Sequence, residues 1–281
     1  MLAICGQCVL DRVREPGRAP VERLGGAPAF AASALRRLGL TALILAKGGT
    51  PALRAPLEAG GGLEVVVGPS RATFVSELEI FGDGQRHQAI GALGDPFAPT
   101  DVAGWMAPAL ARTRTVVAGA QWRGDFPGET LRALARDGRT VYLDAQGPAR
   151  VSEVGPVRLE GPLDPAWVAG VHVLKCSEEE AEALLGGTDA AAAARSPTPI
   201  VVITQGHHGA AVFEGGRETV VGAERIRGLA DTVGAGDAFL GLMAEGTDRG
   251  ASPAEAAQRA CEGVSAILRA RRDAAERGRG S

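Results

Sequence analysis

A short run of small residues followed by a single carboxylate is the part of this sequence best suited to chemistry. Gly234, Ala235 and Gly236 precede Asp237, and the apolar residues after it recur at helical spacing. Glycine is unfavourable inside a helix, so its presence here needs another reason. Small residues at a helix start leave backbone N–H groups unobstructed, and with the helix dipole these groups bind anions such as phosphate.

Asp237 has two interpretations on spacing alone. In the first, the field of the helix N-terminus keeps its carboxylate ionised at neutral pH. The carboxylate could then accept a proton from an attacking hydroxyl while the amides hold a transferring phosphoryl group. In the second, Asp237 is an ordinary acidic residue in the first turn of a glycine-capped helix. Glycine motifs are common, and the spacing favours neither interpretation.

The composition indicates a globular protein and excludes several functions. Of the 281 residues, 45% are hydrophobic and 22% are charged, and the formal net charge is -3, which argues against binding nucleic acid or an acidic membrane. No apolar run approaches the roughly 18 residues of a membrane span, and the start of the chain is unlike a secretory signal, so we expect a cytoplasmic protein. The only lysines, Lys47 and Lys175, do not follow glycine, which excludes a Walker A loop.

The cysteines do not indicate a disulfide framework, because four are scattered over the whole chain. Cys5 and Cys8 form a C-x-x-C pair that could serve redox chemistry or bind a metal. A redox pair should open a helix, whereas this one follows a strand, so packing is the favoured interpretation. No second C-x-x-C is present to complete a zinc site.

Apolar runs alternate with helical patterns along most of the chain. Strands are predicted at 2–5, 41–46, 115–120, 140–145, 171–176 and 199–206. Helices are predicted at 27–38, 101–111, 127–136 and 178–186. This alternation indicates an α/β fold with a mostly parallel sheet that is covered on both faces.

Residues 63–90 break the alternation, because strand-like runs at 63–68 and 72–81 have no helical pattern between them. They predict a small β flap, to which 10–15 and 20–26 could contribute. We therefore expect one domain over 1–281, with flap strands drawn from about 10–24 and 63–90. The polar C-terminal residues 269–281 are predicted to fray.

The segment DTVGAGDAF, at 231–239, resembles the D-T-x-G-A-G-D signature of the ribokinase-like (PfkB) carbohydrate kinase family. Other family features occur in order along nearly the whole chain. They are Asp11 after the first strand, Gly25-Gly26 before the first helix, a flap strand ending in DGQR, LDAQGPAR after a strand, LKCSEEEAEAL in place of the N-x-x-E segment, and VVITQGHHGA as the T-x-G-x-x-G turn. The resemblance implies a ribokinase-like three-layer sandwich with a small β lid.

The resemblance also implies roles for individual residues. Asp237 would be the catalytic base, and the amides of Gly234, Ala235 and Gly236 would form an anion hole. The nucleotide would be bound by Thr204, Gly206, Gly209, Asp231, Thr232, Cys261 and Ser265. The acceptor would be bound by Asp11, Gly25, Gly26, Phe30 and Arg150. Glu180 would act on Mg²⁺ through water. ATP and Mg²⁺ are the implied cofactors, a monovalent cation is also allowed, and the lid allows a homodimer.

The sequence departs from the family pattern at three places. Ser177 replaces the Asn of N-x-x-E, Phe30 replaces an Asn that contacts the sugar, and the segment after Lys47 lacks the usual Gly-Asp. Phe30 could present an apolar wall to a cyclic polyol, or it could pack the first helix against the sheet. Arg150 could meet a phosphate or pair with a nearby acid.

Other side chains are weaker candidates. His207 and His208 could form a metal pair, but a solvated turn near the nucleotide is favoured because adjacent residues rarely face one ligand. His87 could reach substrate from the flap, but an exposed position is favoured. Trp122 and Arg123 follow a strand at the edge where α/β sheets bind ligands, so a substrate wall and simple packing are both open.

These features favour an ATP-dependent kinase that moves the γ-phosphoryl group to a hydroxyl of a small polyol. The GGAPAF stretch, Ser177 and Gln146 resemble the inositol kinase branch more than the ribokinase branch, so myo-inositol or a related cyclitol or sugar is the expected acceptor. Two alternatives remain: a nucleoside kinase on the same fold, and a non-catalytic relative that binds a ligand.

Overall fold

The computed structural model describes residues 1–81, 86–227 and 232–279. The strands are β1 (Leu2–Gln7), β2 (Val9–Arg14), β3 (Val21–Gly25), β4 (Leu43–Lys47), β5 (Glu64–Gly68), β6 (Phe74–Ile80), β7 (Arg86–Ala92), β8 (Thr115–Gly119), β9 (Thr140–Asp144), β10 (Gly155–Pro156), β11 (Val173–Ser177), β12 (Ile200–Thr204), β13 (Ala210–Glu214) and β14 (Arg217–Val221). The helices are α1 (Ala27–Arg37), α2 (Pro51–Ala59), α3 (Pro99–Ala103), α4 (Ala107–Leu110), α5 (Gly128–Leu134), α6 (Gln146–Ala149), α7 (Glu178–Leu185), α8 (Ala190–Ala193), α9 (Ala235–Asp248) and α10 (Pro253–Arg279).

The centre of the protein is a large sheet with the order β14-β13-β12-β11-β9-β8-β1-β4-β5. The strands from β12 to β5 run parallel, and β13 and β14 add an antiparallel edge. Within β1, Ala3 and Cys5 pack into one hydrophobic cluster while Leu2 and Ile4 pack into another. Both faces are therefore buried, which explains why these strands are continuously apolar. The α/β class and the mostly parallel sheet are confirmed.

A second, smaller sheet has the order β10-β7-β6-β2-β3. It contains the segments predicted at 10–15 and 20–26, as β2 and β3, together with the segment predicted at 72–81, as β6. Its β2 runs parallel to β6, while β3, β7 and β10 pair antiparallel with their neighbours. Residues 82–85, which include most of the DGQR segment at the end of the predicted flap strand, lie outside the described residues.

The assignment of 63–68 to the flap is wrong. This segment is β5, and it pairs in parallel with β4 at the edge of the large sheet. The connection between the two strands contains helix α2, whose interior Pro56 obscures the helical pattern in the sequence.

Two helical predictions also change. The helix predicted at 101–111 is divided into α3 and α4, because Gly104 leaves the helical region with φ -100° and ψ -111° and a proline occupies the first turn of α4. The C-terminal segment does not fray from residue 269, since α10 continues to Arg279. Arg269 pairs with Glu224, and Arg271 donates to the carbonyl of Val233 at 2.8 Å, so tertiary contacts hold this part of the helix.

Cys5 and Cys8 are buried free thiols. Burial raises the pKa of both, in the case of Cys8 to about 11, which disfavours the reactive thiolate and agrees with a packing role. Within the described residues, no helix is long and apolar enough to cross a membrane.

Candidate active site

Helix α9 begins at a sharp glycine turn beside the large sheet. Gly234 precedes the helix with φ 77°, a left-handed conformation that glycine adopts without strain. A Cβ atom on Gly234 would lie 2.1 Å from Cγ of Phe30, so the Phe30 ring also requires a residue without a side chain here. The positive φ belongs to Gly234 and not to Gly236, where a Cβ would instead approach Nζ of Lys175 to 3.0 Å.

The three amides proposed for the anion hole are not equivalent. Among the described residues, the amide of Ala235 donates to the carbonyl of Thr232 at 3.1 Å, which closes the turn. The amides of Gly234 and Gly236 donate to no acceptor among the described residues. Orphan donors at a helix start are satisfied by side chains, water or ligands. The two glycine amides are therefore the ones available to an anion.

Asp237 lies in the first turn of α9, where it is half-buried and lines a cavity of about 1280 Å³. Burial raises the pKa of Asp237 from 3.8 to about 7, and the carboxylate of Asp144 adds to the rise. The cations of Lys175 and Arg150 lower it, and Asp11 raises it again. Burial thus opposes the expected effect of the helix field on Asp237, because desolvation disfavours the ionised carboxylate. A pKa near the operating pH suits a general base.

Lys175 is a prominent charge in this region that the sequence reasoning did not select. It lies in the middle of β11, in register with Asp144 at the end of β9, and its Nζ lies 3.1 Å from Oδ2 of Asp144. Both side chains are almost completely buried, at 3% and 1% exposure. Burial alone would lower the pKa of Lys175, but the carboxylates around it, Asp144 first, raise it above its ordinary value. The available signal was a lysine inside the apolar run VHVLKC of a chain with only two lysines.

The small sheet supplies a polar row to the other side of the cavity. Asp11 on β2 is in register with Ser76 on β6, and Nε2 of Gln88 on β7 donates to Oγ of Ser76 at 3.1 Å. The three side chains line the cavity, although most of their neighbours on this face of the sheet are apolar. Only Asp11 of this row was predicted. Ser76 and Gln88 were missed because strand pairing, not sequence spacing, brings them beside it.

Gly25 and Gly26 act through close packing. A Cβ on Gly25 would lie 2.2 Å from Oδ2 of Asp11, so Asp11 lies directly over this glycine. Gly26 has φ 83°, and a Cβ there would lie 2.6 Å from the carbonyl oxygen of Gln7. Gly26 lines the cavity, whereas Gly25 lies behind Asp11. The two glycines thus position Asp11 and the start of α1.

The predicted donor residues gather at the far end of the cavity from the small sheet. Thr204, Gly206, Gly209, Thr232, Cys261 and Ser265 all line it. Oγ1 of Thr204 donates to the carbonyl of Cys176 at 3.1 Å, and Oγ of Ser265 accepts from the amide of Glu224 at 3.3 Å. Asp231 lies outside the described residues. This end of the cavity also has an apolar lining, contributed by Ala223, Ile226, Val264 and Leu268.

Phe30 and Arg150 both line the cavity. Phe30 packs with Val13, Leu78, Ile80 and Val233, so its ring takes part in packing as well as in the wall. Arg150 is close enough to lower the pKa of Asp237.

Glu180 lines the cavity and forms a capping box at the start of α7. Its Oε2 accepts from the amide of Ser177 at 2.8 Å, and Oγ of Ser177 accepts from the amide of Glu180 at 3.2 Å. Within the described residues, no group of three His, Cys, Asp or Glu side chains is arranged to hold a metal. Mg²⁺ keeps several waters and is held largely by substrate phosphates, so a single carboxylate acting through water fits this ion.

The weaker candidates separate clearly. Trp122 stacks on Phe74 with ring centroids 4.9 Å apart and lies outside the lining of the main cavity, as expected for packing. Arg123 donates to the carbonyls of Pro148 and Glu160. His87 and His207 line the cavity from the two ends.

The structure is an α/β fold with a cavity between a small β sheet and a glycine turn. The model of the family described as pfkB family carbohydrate kinase matches residues 159–276. The resemblance to ribokinase-like (PfkB) carbohydrate kinases is therefore confirmed, and the matched segment contains the glycine turn, Asp237 and Lys175.

Solved structures extend the likeness to almost the whole chain. A pyrophosphate-dependent kinase of the ribokinase family in complex with sulfate has a TM-score of 0.79 at 21% identity, covering 96% of this chain and 95% of that one. A structure of a pyrophosphate-dependent kinase in the same family with a pyrophosphate analogue and myo-inositol gives 0.77 at 22%, covering 96% and 95%. Ribokinase from Arabidopsis thaliana with ribose and ATP gives 0.71 at 19%, covering 94% and 91%. No curated protein matches the sequence. At these identities the structures establish the ribokinase-like fold.

Proposed function

We propose that this protein is a kinase that transfers the γ-phosphoryl group of ATP to a hydroxyl of a small polyol, with myo-inositol or a related cyclitol or sugar as the acceptor. The observation that carries the proposal is the position of Asp237. Its carboxylate opens into one cavity whose other walls are the polar row of the small sheet and the glycine turn. A base, a hydroxyl-binding wall and an anion site thus meet in one place.

The reaction follows from these three parts. Asp237 accepts the proton of the acceptor hydroxyl, whose oxygen forms a bond to the γ-phosphorus as the bond from that phosphorus to the bridging oxygen breaks. ADP leaves with the bridging oxygen. Gly234, Gly236 and Lys175 line the same cavity as Asp237, so the two glycine amides and the Lys175 cation would lower the barrier by stabilising the charge on the phosphoryl group. Bound Mg²⁺ would neutralise charge on the donor phosphates, with Glu180 contributing through water.

The lining of the cavity supports a polyol as the acceptor. Asp11, Ser76 and Gln88 together offer a carboxylate, a hydroxyl and an amide in one row, and Gln121 and Gln146 line the cavity as well. A ring of hydroxyls can pair with such groups, and leaving them unpaired in a buried site is costly. The proposed domain is the whole chain, with the small sheet as its lid and as the surface for a homodimer.

The choice of donor rests on a different part of the cavity. Beyond the glycine turn, the walls formed by Ala223, Ile226, Val264 and Leu268 provide an apolar space that a nucleoside base can fill. This favours ATP. Pyrophosphate is the second candidate donor, because similar folds occur in pyrophosphate-dependent kinases, one of them with myo-inositol bound.

A matrix of donors and acceptors tests the proposal directly. The purified protein is incubated with Mg²⁺ and either ATP or pyrophosphate, against myo-inositol, ribose, fructose and adenosine, and products are followed by ³¹P NMR. We expect the highest kcat/KM for myo-inositol with ATP, and turnover at least ~10²-fold lower in Asp237→Asn. Preferred phosphorylation of adenosine would instead identify a nucleoside kinase. Binding of a polyol without turnover with either donor would identify a non-catalytic relative.

A further inference from the structure

The C-terminal helix reaches back to the glycine turn. Nη1 of Arg271, near the end of α10, donates to the carbonyl oxygen of Val233 at 2.8 Å. Val233 immediately precedes Gly234, and Arg271 is thirty-eight residues further along the chain. This contact comes from the segment that the sequence predicted to fray. A cationic side chain thus contacts the backbone of the turn that is proposed to bind an anion.

The planarity of the peptide bond links this contact to the direction of the Gly234 amide. The carbonyl of Val233 and the amide of Gly234 belong to one peptide unit, and in a trans peptide the C=O and N–H point in opposite directions. A donor that holds the carbonyl on the α10 side therefore directs the Gly234 N–H to the other side. That amide is one of the two in the turn without an acceptor among the described residues.

The same peptide unit is restrained from a second direction. The side chain of Val233 is 9% exposed and packs with Val13, Leu78 and Ile80 of the small sheet. Gly234 itself lies against the Phe30 ring. The turn has a left-handed residue with no side chain, which leaves its peptide planes free to rotate unless other groups hold them. A hydrogen bond from a guanidinium is charge-assisted and stronger than a neutral one, which makes it an effective restraint.

We propose that Arg271 is a positioning residue of the anion hole. By holding the carbonyl of Val233, it fixes the Gly234 amide in the direction of the transferring phosphoryl group, and so it acts on the reaction through the peptide unit and without touching the substrate. The proposal rests on the kinase function proposed above. It also gives a role to the C-terminal part of α10, which contains Arg271.

The test compares Arg271→Met with Arg272→Met. Methionine retains much of the apolar stem but cannot donate to the carbonyl. Arg272 is the matched control, because its guanidinium pairs with Asp273 on the same helix and makes no hydrogen bond to the turn among the described residues. With the best donor and acceptor, we expect Arg271→Met to reduce kcat by about tenfold or more. This reduction should be smaller than the ~10²–10³-fold reduction in kcat that follows the loss of an oxyanion-hole donor itself. The acceptor KM should stay within about twofold, and Arg272→Met should resemble the parent protein.

A second readout does not depend on turnover. Protein labelled with ¹⁵N-glycine is titrated with inorganic phosphate, and the Gly234 amide signal is followed by NMR. We expect phosphate to move this signal in the parent and in Arg272→Met, and to move it at least severalfold less in Arg271→Met. Equal kcat and equal phosphate response in the two variants would overturn the positioning role and leave the kinase function intact.

The two proposals can fail separately. If the parent protein transfers phosphate from no donor, the kinase function fails, while the phosphate titration still decides whether Arg271 orients the amide. If Arg271→Met does not fold, Arg271→Gln replaces it, since the shorter amide remains polar but cannot reach the Val233 carbonyl. The same loss of kcat and phosphate response in Arg271→Gln would support the proposal. Failure of both variants to fold would show that Arg271 is required for the fold, and would overturn the positioning role.

Discussion

Replacing Asp237 by Asn should lower activity and raise stability, and the two effects should differ in their dependence on pH. Asn keeps the size and hydrogen bonding of the side chain but cannot accept a proton. Turnover should fall by ~10²-fold or more because general base catalysis is lost. Binding of the donor should be nearly unchanged, since the amides of the turn remain.

The stability effect follows from the pKa of the carboxyl. Asp237 has its pKa raised from 3.8 to about 7 in the folded state. The difference is about three pKa units, and each unit corresponds to about 1.36 kcal/mol. The parent protein therefore loses up to about 4 kcal/mol of stability as the pH rises from about 4 to about 7, because the unfolded chain ionises this group more readily. Asn does not titrate and escapes this loss. The cations of Lys175 and Arg150 lose a partner in the variant, so 4 kcal/mol is an upper bound.

Thermal unfolding across pH measures this difference. In a domain of this size, about 1 kcal/mol corresponds to roughly 2–4 °C in Tm. The Tm of Asp237→Asn should match that of the parent near pH 4 and exceed it by several degrees at pH 8. Glu255→Gln is a useful control, because the pKa of this exposed carboxyl is lowered by its bonds to Ser252, which gives the opposite sign. A Tm difference that is constant with pH, or turnover close to that of the parent, would refute the role assigned to Asp237.

Four further predictions follow from the same geometry. In the parent protein, a plot of log(kcat/KM) against pH should rise with a slope of one below about pH 7 and level off above it, because only the ionised carboxylate of Asp237 accepts the proton. A flat profile across that range would contradict this role. Gly234→Ala should abolish activity, because the added Cβ would clash with the Phe30 ring. Gly39 has a similar φ of 66° but open space around it, so Gly39→Ala should lower only the free energy of unfolding, by the ~1–2 kcal/mol that a left-handed residue costs, as thermal unfolding would measure. Lys175→Met should destabilise the protein by ~3–5 kcal/mol, because it leaves the Asp144 carboxylate unpaired. Adding Asp144→Asn should restore stability but not turnover. Recovery of both would show that the role of Lys175 is structural only. Phe30→Asn should narrow the preference for myo-inositol over ribose and also lower kcat, since the ring supports Gly234; an unchanged preference would leave Phe30 as packing only.

Much of the fold was predictable because its causes are local. The alternation of buried strands and amphipathic helices follows from periodicities that any window of the sequence displays. The segment at 63–68 shows the limit of this reasoning. Its own residues specify a strand, but the choice between two sheets depends on α2, which returns the chain beside β4 and whose internal Pro56 weakens its pattern. Whether a segment forms a strand is a local property, whereas the strand with which it pairs is determined by the segment that connects the two.

The sequence by itself determined the position of the turn and of Asp237, because glycine tolerates the left-handed backbone of such a turn and the helical spacing of the apolar residues marks where the helix follows. Only the tertiary structure decided the chemistry of that carboxyl. Desolvation and the ion pair between Lys175 and Asp144 are interactions through space, between residues brought together by neighbouring parallel strands. The link from Arg271 to Val233 has the same origin, since two distant segments must pack before the guanidinium can reach the carbonyl. Sequence spacing carries the identity of these groups, but the dielectric surroundings and partners that set their energies exist only in the folded chain.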